Sequence, residues 1–395
     1  MAATRKTVDL FLDLLKSERM AGLLLVACTA ISLLLTNASS GGQYAAFWHR
    51  PLPGGSVEYW INDGLMAIFF LMVGLELERE LYIGELSVPK QALLPAIAAL
   101  GGMVVPAAIH LLFNHGTPTA AGAGIPMATD IAFAIGVLSL LGKRVPLALK
   151  VFLTALAVID DLGAILVIAL FYSSGLQWAW LGAALGLFTF LLLLNRLKVH
   201  VLWPYLVLGA AMWLCMLHSG VHATISGVLL AFAIPFGDGG PDSISWKLQH
   251  FLHRPVAYVI MPLFALANTC IVLGPHWYGH LLQPNSYGIF LGLVLGKPMG
   301  IGLFSAIAVG LGLCTLPNGI GWRKLIATGF LGGIGFTMSI FIAMLAFNDP
   351  EHVLTSKTTI LVSSLTAGIL GYAILHAVLP APKGTAIRGG PGPTV

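Results

Sequence analysis

Leu156 to Leu170 reads LAVIDDLGAILVIAL, an apolar run with two adjacent carboxylates, Asp160 and Asp161, near its centre. Asp63, Asp130 and Lys297 interrupt other apolar runs in the same way. A carboxylate at mid-bilayer costs about 3 kcal/mol on insertion scales. One Asp–Lys ion pair stapling two helices would account for Lys297 and a single acid, and it leaves acids over. Small hard cations such as Na+ and Li+ prefer oxygen ligands. Asp160 and Asp161 supply carboxylates, while Thr129 and Asp130 add a hydroxyl and a third acid. Successive helical positions differ by about 100° in direction. Asp160 and Asp161 therefore cannot both point at one ion, and one can face the ion while the other faces a partner such as Lys297.

Close carboxylates in a low dielectric resist double ionisation. An empty site of this kind should hold protons near neutral pH, and a bound Na+ should expel them. Competition for one set of oxygens, with the site open to one side at a time, yields exchange. Lys297 could be a second proton carrier or a fixed counter-charge, and the sequence leaves both open.

The elements that hold these residues follow from hydropathy. The chain has 395 residues, of which only 9% are charged, against roughly 25% in soluble domains; its mean hydropathy is +0.90. Long apolar runs recur from Met20 to Leu379. Backbone in lipid must satisfy its own hydrogen bonds, so these runs read as helices. The fold class expected is an all-α polytopic membrane protein of about twelve transmembrane helices. The spans fall near 20–35, 61–83, 92–113, 121–141, 147–172, 178–194, 201–217, 221–235, 256–273, 287–313, 325–347 and 358–379. The first, preceded by Arg5, Lys6 and Lys16, also has features of a signal peptide and is retained here as a span. All of the 20 lysines and arginines except Arg50, Lys357 and the intramembrane Lys297 fall on the side of the N-terminus. That side is expected to be cytoplasmic, with both termini inside. Cys28, Cys215, Cys270 and Cys314 lack metal-ligand spacing and read as packing residues.

Two spans look interrupted. GAGIPMATDIAFAIG carries Gly124 and Pro126 just before Thr129 and Asp130, and GFLGGIGFTMS holds Gly329, Gly332, Gly333 and Gly335. Each is the middle of a triplet, spans three to five (92–172) and ten to twelve (287–379). An even number of spans precedes the first triplet and an odd number the second, so the repeat would be inverted. Broken spans at matching places point to a binding site at the repeat interface. Residues 20–83 and 178–273 would supply interface and scaffold helices within one transporter unit covering 1–395. The positive ends of half-helices need an anion nearby, and Asp130 is the candidate.

Four stretches, PMATDIAFAIGVLSLLGKRVPLALKVFLTALAVIDDLGAI, HSGVHATISG, LGKPMGIGLF and GGIGFTMSIFIA, resemble the bacterial NhaA-type Na+/H+ antiporters, and the resemblance covers nearly the whole chain. It implies two broken helices that cross at mid-membrane, with Na+ beside Asp160 and Asp161 and Thr129 as a nearby ligand or gate. It implies that Asp130 and Lys297 balance the half-helix charges. It further implies extrusion of Na+ or Li+ in exchange for protons, activation as pH rises, location in the bacterial inner membrane, and a homodimer formed through FWHRPLPGGSVEYW after the first span.

Groups that could sense pH near the cytoplasmic mouth are Glu76, Glu78, Glu80 and Glu85, with Glu76 and Glu80 on one helix face. His250 and His253 are placed in the loop before span nine, and His222 at the start of span eight on the far side; histidine titrates in the relevant range. Gln249 stands where family members often carry an acid, which puts the pH response here in question. Two rival readings are an intramembrane aspartyl protease and a passive cation channel. The acids follow Ala-Thr and Val-Ile rather than a protease-like Tyr or Gly-x-Gly, and a channel needs no lysine in its path. GLVLGKP lacks the spacing of a phosphate loop, so no nucleotide is expected; nor are nucleic acid, a catalytic activity, or a cofactor beyond the transported ions.

Overall fold

Where the sequence turns apolar, the computed structural model is helical; it describes residues 20–173, 175–274, 277–317 and 319–380. Arg5, Lys6, Lys16 and Arg19 at one end, and Lys383 and Arg388 at the other, lie outside these residues. The first span is α1 (Met20–Thr36), followed by α2 (Gly41–Trp48), which turns away from it by 120°. An antiparallel hairpin, β1 (Pro51–Leu52) and β2 (Gly55–Ser56), comes next. Its turn needs Gly54, whose φ of +89° suits a residue without a Cβ. Ser56 then caps α3 (Val57–Tyr82) by accepting the Tyr59 N–H at 3.1 Å.

The first triplet begins with α4 (Pro89–Asn114). The fourth span is broken into a tight 3-10 helix, Pro118–Met127, and α5 (Ile131–Leu140), bent by 45°. The carboxylate pair lies on α6 (Leu147–Phe171). Four helices follow: α7 (Trp178–Arg196), α8 (Leu202–Leu217), α9 (Ile225–Ala233) and α10 (Ile244–Asn268). The second triplet is α11 (Pro284–Gly310), a pair α12 (Trp322–Gly332) and α13 (Phe336–Ala346) bent by 49°, and α14 (Pro350–Val378). Each of the twelve expected spans thus has its helix, and the architecture is all-α and polytopic.

Two boundaries differ from expectation. The eighth span is only the nine residues of α9, because Val221–Thr224 is spent on a turn; His222 precedes the helix. At about 1.5 Å per residue, α9 is too short to cross a bilayer alone. The loop assigned before span nine is instead the first half of α10, so His250 and His253 are helical. Ser243 starts that helix by accepting the Trp246 N–H at 3.2 Å. Polar surroundings hid it from a hydropathy reading.

Prolines in the membrane explain local widening. Pro255 is followed by a π-helical turn, Val256–Ile260, and Pro298 is preceded by another, Gly292–Gly296. A proline removes one helical hydrogen bond and crowds the preceding turn; a wider turn relieves both. The second of these turns delivers Lys297 to the centre of the molecule. α4 and α11 cross there at a small-residue contact, where a Cβ on Gly101 or on Gly300 would collide with the other's backbone carbonyl. Aromatic contacts such as Phe70–Phe341, with ring centroids 5.4 Å apart, fill the space between α3 and α13.

Candidate functional site

Both broken spans unwind near their middles, and their unwound segments touch. The Asp130 N–H donates to the Ile334 carbonyl at 2.6 Å. The Ser339 hydroxyl donates to the Ile125 carbonyl at 2.7 Å. These bonds occupy backbone groups that the breaks leave open, which is what a helix interruption inside a membrane requires.

Asp130 serves two helix starts at once. Its Oδ1 accepts from the Phe133 N–H of its own helix α5 at 3.0 Å, and its Oδ2 accepts from the Thr337 N–H of α13 at 3.1 Å. The Thr337 hydroxyl donates to the same Oδ2 at 2.5 Å. A further donor at the start of α13, the Phe336 N–H, bonds Ser364 Oγ at 3.1 Å. Each helix start carries about half a positive charge, so one carboxylate matches the sum of two.

Lys297 is fully buried and lies on Asp160. Its Nζ donates to Asp160 Oδ2 at 2.5 Å and to Thr129 Oγ1 at 3.0 Å. The Thr129 hydroxyl sits 2.7 Å from the same Asp160 oxygen and 2.8 Å from the Gly332 carbonyl that ends α12. Its one proton can go to either acceptor. Lys297 thus reaches the negative end of a half-helix through Thr129, while its direct partner is Asp160.

Asp161, the next residue, points elsewhere. It is 2% exposed, and its Oδ1 has no hydrogen-bond partner; the same holds for Asp160 Oδ1. Buried carboxylate oxygens left without donors are costly. A desolvated cation would satisfy them, and so would protons. Among the described residues, no three His, Cys, Asp or Glu side chains group as ligands for a resident metal. The oxygens of Asp160, Asp161 and Thr129 suit an alkali ion that passes through.

The acids and histidines considered for pH sensing do not form one cluster. Glu76 lies near Asp161. Glu78 is buried against Ser245 of α10, with its Oε2 unpartnered. Glu80 accepts the Glu85 N–H at 3.0 Å. His250 stacks on Trp246 at 5.0 Å, and His253 Nε2 is buried without a partner. His222 is remote from these and contacts the Tyr172 carbonyl at 3.0 Å. Tyr172 in turn holds the outer half of the broken span: its hydroxyl donates to the Ala121 carbonyl at 2.7 Å and accepts the Gly124 N–H at 3.2 Å.

Sequence reasoning missed Thr337, Ser364 and Tyr172. Thr337 had a usable signal: it is the first hydroxyl after the glycine break in GGIGFTMS. Ser364 and Tyr172 carry none, since Ser364 is an ordinary residue of α14 and Tyr172 the residue that ends α6, each brought in by tertiary packing.

Comparison with known proteins finds relatives along nearly the whole chain. The family model described as Na+/H+ antiporter 1 matches residues 12–375. The chain is 60% identical over 374 residues to the Na+/H+ antiporter NhaA of Flavobacterium psychrophilum, covering 95% of this chain and 97% of that one. It is 58% identical over 377 residues to the protein of the same name from Cytophaga hutchinsonii, with coverage of 95% and 97%. The NhaA protein of Vibrio campbellii is 48% identical over 376 residues, with coverage of 94% and 96%. These relatives are membrane transporters and not enzymes. The chain belongs to the Na+/H+ antiporter 1 family.

Proposed function

We propose that the protein is a Na+/H+ antiporter of the bacterial inner membrane that extrudes Na+ or Li+ from the cytoplasm and admits protons. The observation that carries this reading is the pair of buried, partnerless oxygens on Asp160 and Asp161 beside a crossing of two broken helices. Each oxygen can be satisfied by Na+ or by a proton, and the two occupants exclude one another.

The Lys297–Asp160 pair adds a second proton. Na+ arriving at Asp160 competes with the Lys297 ammonium for one carboxylate. An ammonium displaced in a dry site has lost its counter-charge and is costly to keep charged. It gives up its proton, and Asp161 gives up the other. Two protons then move against one Na+, and exchange is electrogenic. Each net charge draws about 2.3 kcal/mol from 100 mV. Asp130 stays ionised between its two helix starts and keeps the crossing assembled.

Spans three to five and ten to twelve form the moving core, and the remaining helices form the scaffold. Both termini lie in the cytoplasm. Glu76, Glu78, Glu80, His250 and His253 line the cytoplasmic approach and set its pH response. The exposed hairpin of β1 and β2 offers open strand edges, which suit pairing with a second copy of the chain.

Purified protein in sealed vesicles, loaded with Na+ and reporting internal pH, tests the reading. Downhill Na+ flux should drive protons the other way. Na+ flux without proton movement would indicate a channel instead.

A further inference from the structure

The helices of the two triplets meet the scaffold helices at both ends of the molecule, and the two ends differ in charge. On the inner side two acids, Glu76 of α3 and Asp161 of α6, lie near one another across the boundary. On the opposite side the contact is attractive. Lys357 of α14 donates to Asn268 Oδ1 of α10 at 3.3 Å and lies 3.7 Å from Glu58 Oε1 of α3. Asn268 donates in turn to Asn62 Oδ1 at 2.7 Å, one turn along α3 from Glu58. Asn62 lies 3.5 Å from Met344 Sδ of α13. His49 also faces Glu58, at 3.3 Å.

The Lys357 and Glu58 side chains are only 12% and 20% exposed, and Asn268 is 1% exposed. An exposed ion pair contributes little. This one is sheltered, and the side-chain amides of Asn268 and Asn62 extend it into a network.

We infer that Lys357, Glu58 and Asn268 form a latch that holds the outer side of the transporter shut. The inference rests on the exchange reading above, because only alternating access requires this contact to part. Its helices are the start of α3, the end of α10 and the outer part of α14, so it ties the second triplet to two scaffold helices. When the ion site opens outward, these three ends must separate. With this attractive contact in place, the resting molecule favours the form closed on the outer side.

A cysteine at Met344, next to Asn62, reports on the latch in a background where Cys28, Cys215, Cys270 and Cys314 are replaced by alanine. Its labelling by a membrane-impermeant maleimide is followed from the outer face, without Na+. Glu58→Gln and Lys357→Met should each speed labelling by about three- to tenfold, the shift expected when a state is destabilised by one such contact. The exchanged pair, Glu58→Lys with Lys357→Glu, should return the rate towards the parent. Unchanged rates in both single variants would overturn the latch. So would a double variant as fast as the singles, since that marks loose packing rather than a lost pair. Glu58→Gln keeps size and shape, so the test survives if Lys357→Met fails to fold. Sodium-driven proton flux is measured separately in the protein with Glu58 and Lys357 intact. Na+ flux there without proton movement would remove the exchange reading while leaving the labelling result to stand or fall alone.

Discussion

Lys297 and Asp160 are 137 positions apart in the chain, yet the ammonium of one lies 2.5 Å from the carboxylate of the other, with both side chains fully buried. Asp161, adjacent to Asp160, makes no such contact, and its Oδ1 has no hydrogen-bond partner. The two neighbours therefore stand in different electrostatic situations, and they should respond differently to substitution.

Asp161→Asn removes a carboxylate whose Oδ1 has no donor. The protein should fold normally, because a neutral amide is easier to bury than an unpaired charge. Exchange should be lost. Vesicle flux and a melting curve check both halves; full activity would remove Asp161 from the ion site.

Lys297→Ala leaves Asp160 buried without its partner. Breaking a buried pair from one side costs about 3–5 kcal/mol, relieved where Asp160 takes up a proton. The melting temperature should fall, and should recover in part at acid pH. Any remaining exchange should become insensitive to an imposed membrane potential, since one of the two proton carriers is gone. A potassium-diffusion potential measures that directly.

Asp130→Ala uncaps two helix starts together. Each cap of this kind contributes about 0.5–2 kcal/mol, so the loss should reach about 1–4 kcal/mol. Asp130→Asn should lose less, because its one carbonyl oxygen still accepts. Thr337→Val should fall between the parent and Asp130→Ala. Thermal denaturation in detergent ranks the three.

Gly101→Leu should separate α4 from α11, because even a Cβ there meets the Gly300 carbonyl. Lys297 lies one turn from Gly300 on α11, so the variant should lose affinity for Na+ as well as stability. Normal Na+ affinity with a lowered melting temperature would show that the crossing and the site are independent.

Much of this arrangement was legible in the sequence, for a physical reason. Asp130, Asp160, Asp161 and Lys297 stand out because charge is rare in apolar runs, and the glycine clusters mark where helices can break. Partner choice was not legible. Nothing local says that Lys297 meets Asp160 directly and reaches the Gly332 carbonyl only through Thr129, because α11 and α6 are each packed against α4, at Gly102 and Met103, a contact between segments distant in the chain. Hydropathy marks apolar runs and misses polar helices such as the first half of α10, whose start signal is the Ser243 cap before Ile244. Lys357 was counted as a loop charge on the outer side, and its place between Glu58 and Asn268 emerged only in three dimensions.

Competition between Na+ and protons is the claim on which the mechanism stands, and calorimetry tests it most directly. Na+ binding would be measured at several pH values in buffers of different ionisation enthalpy. Apparent affinity should weaken as pH falls, by about tenfold per pH unit for each proton displaced. Protons should be released on binding, approaching two per Na+ where Lys297 and Asp161 both participate. Equal affinity at every pH, with no proton release, would contradict it.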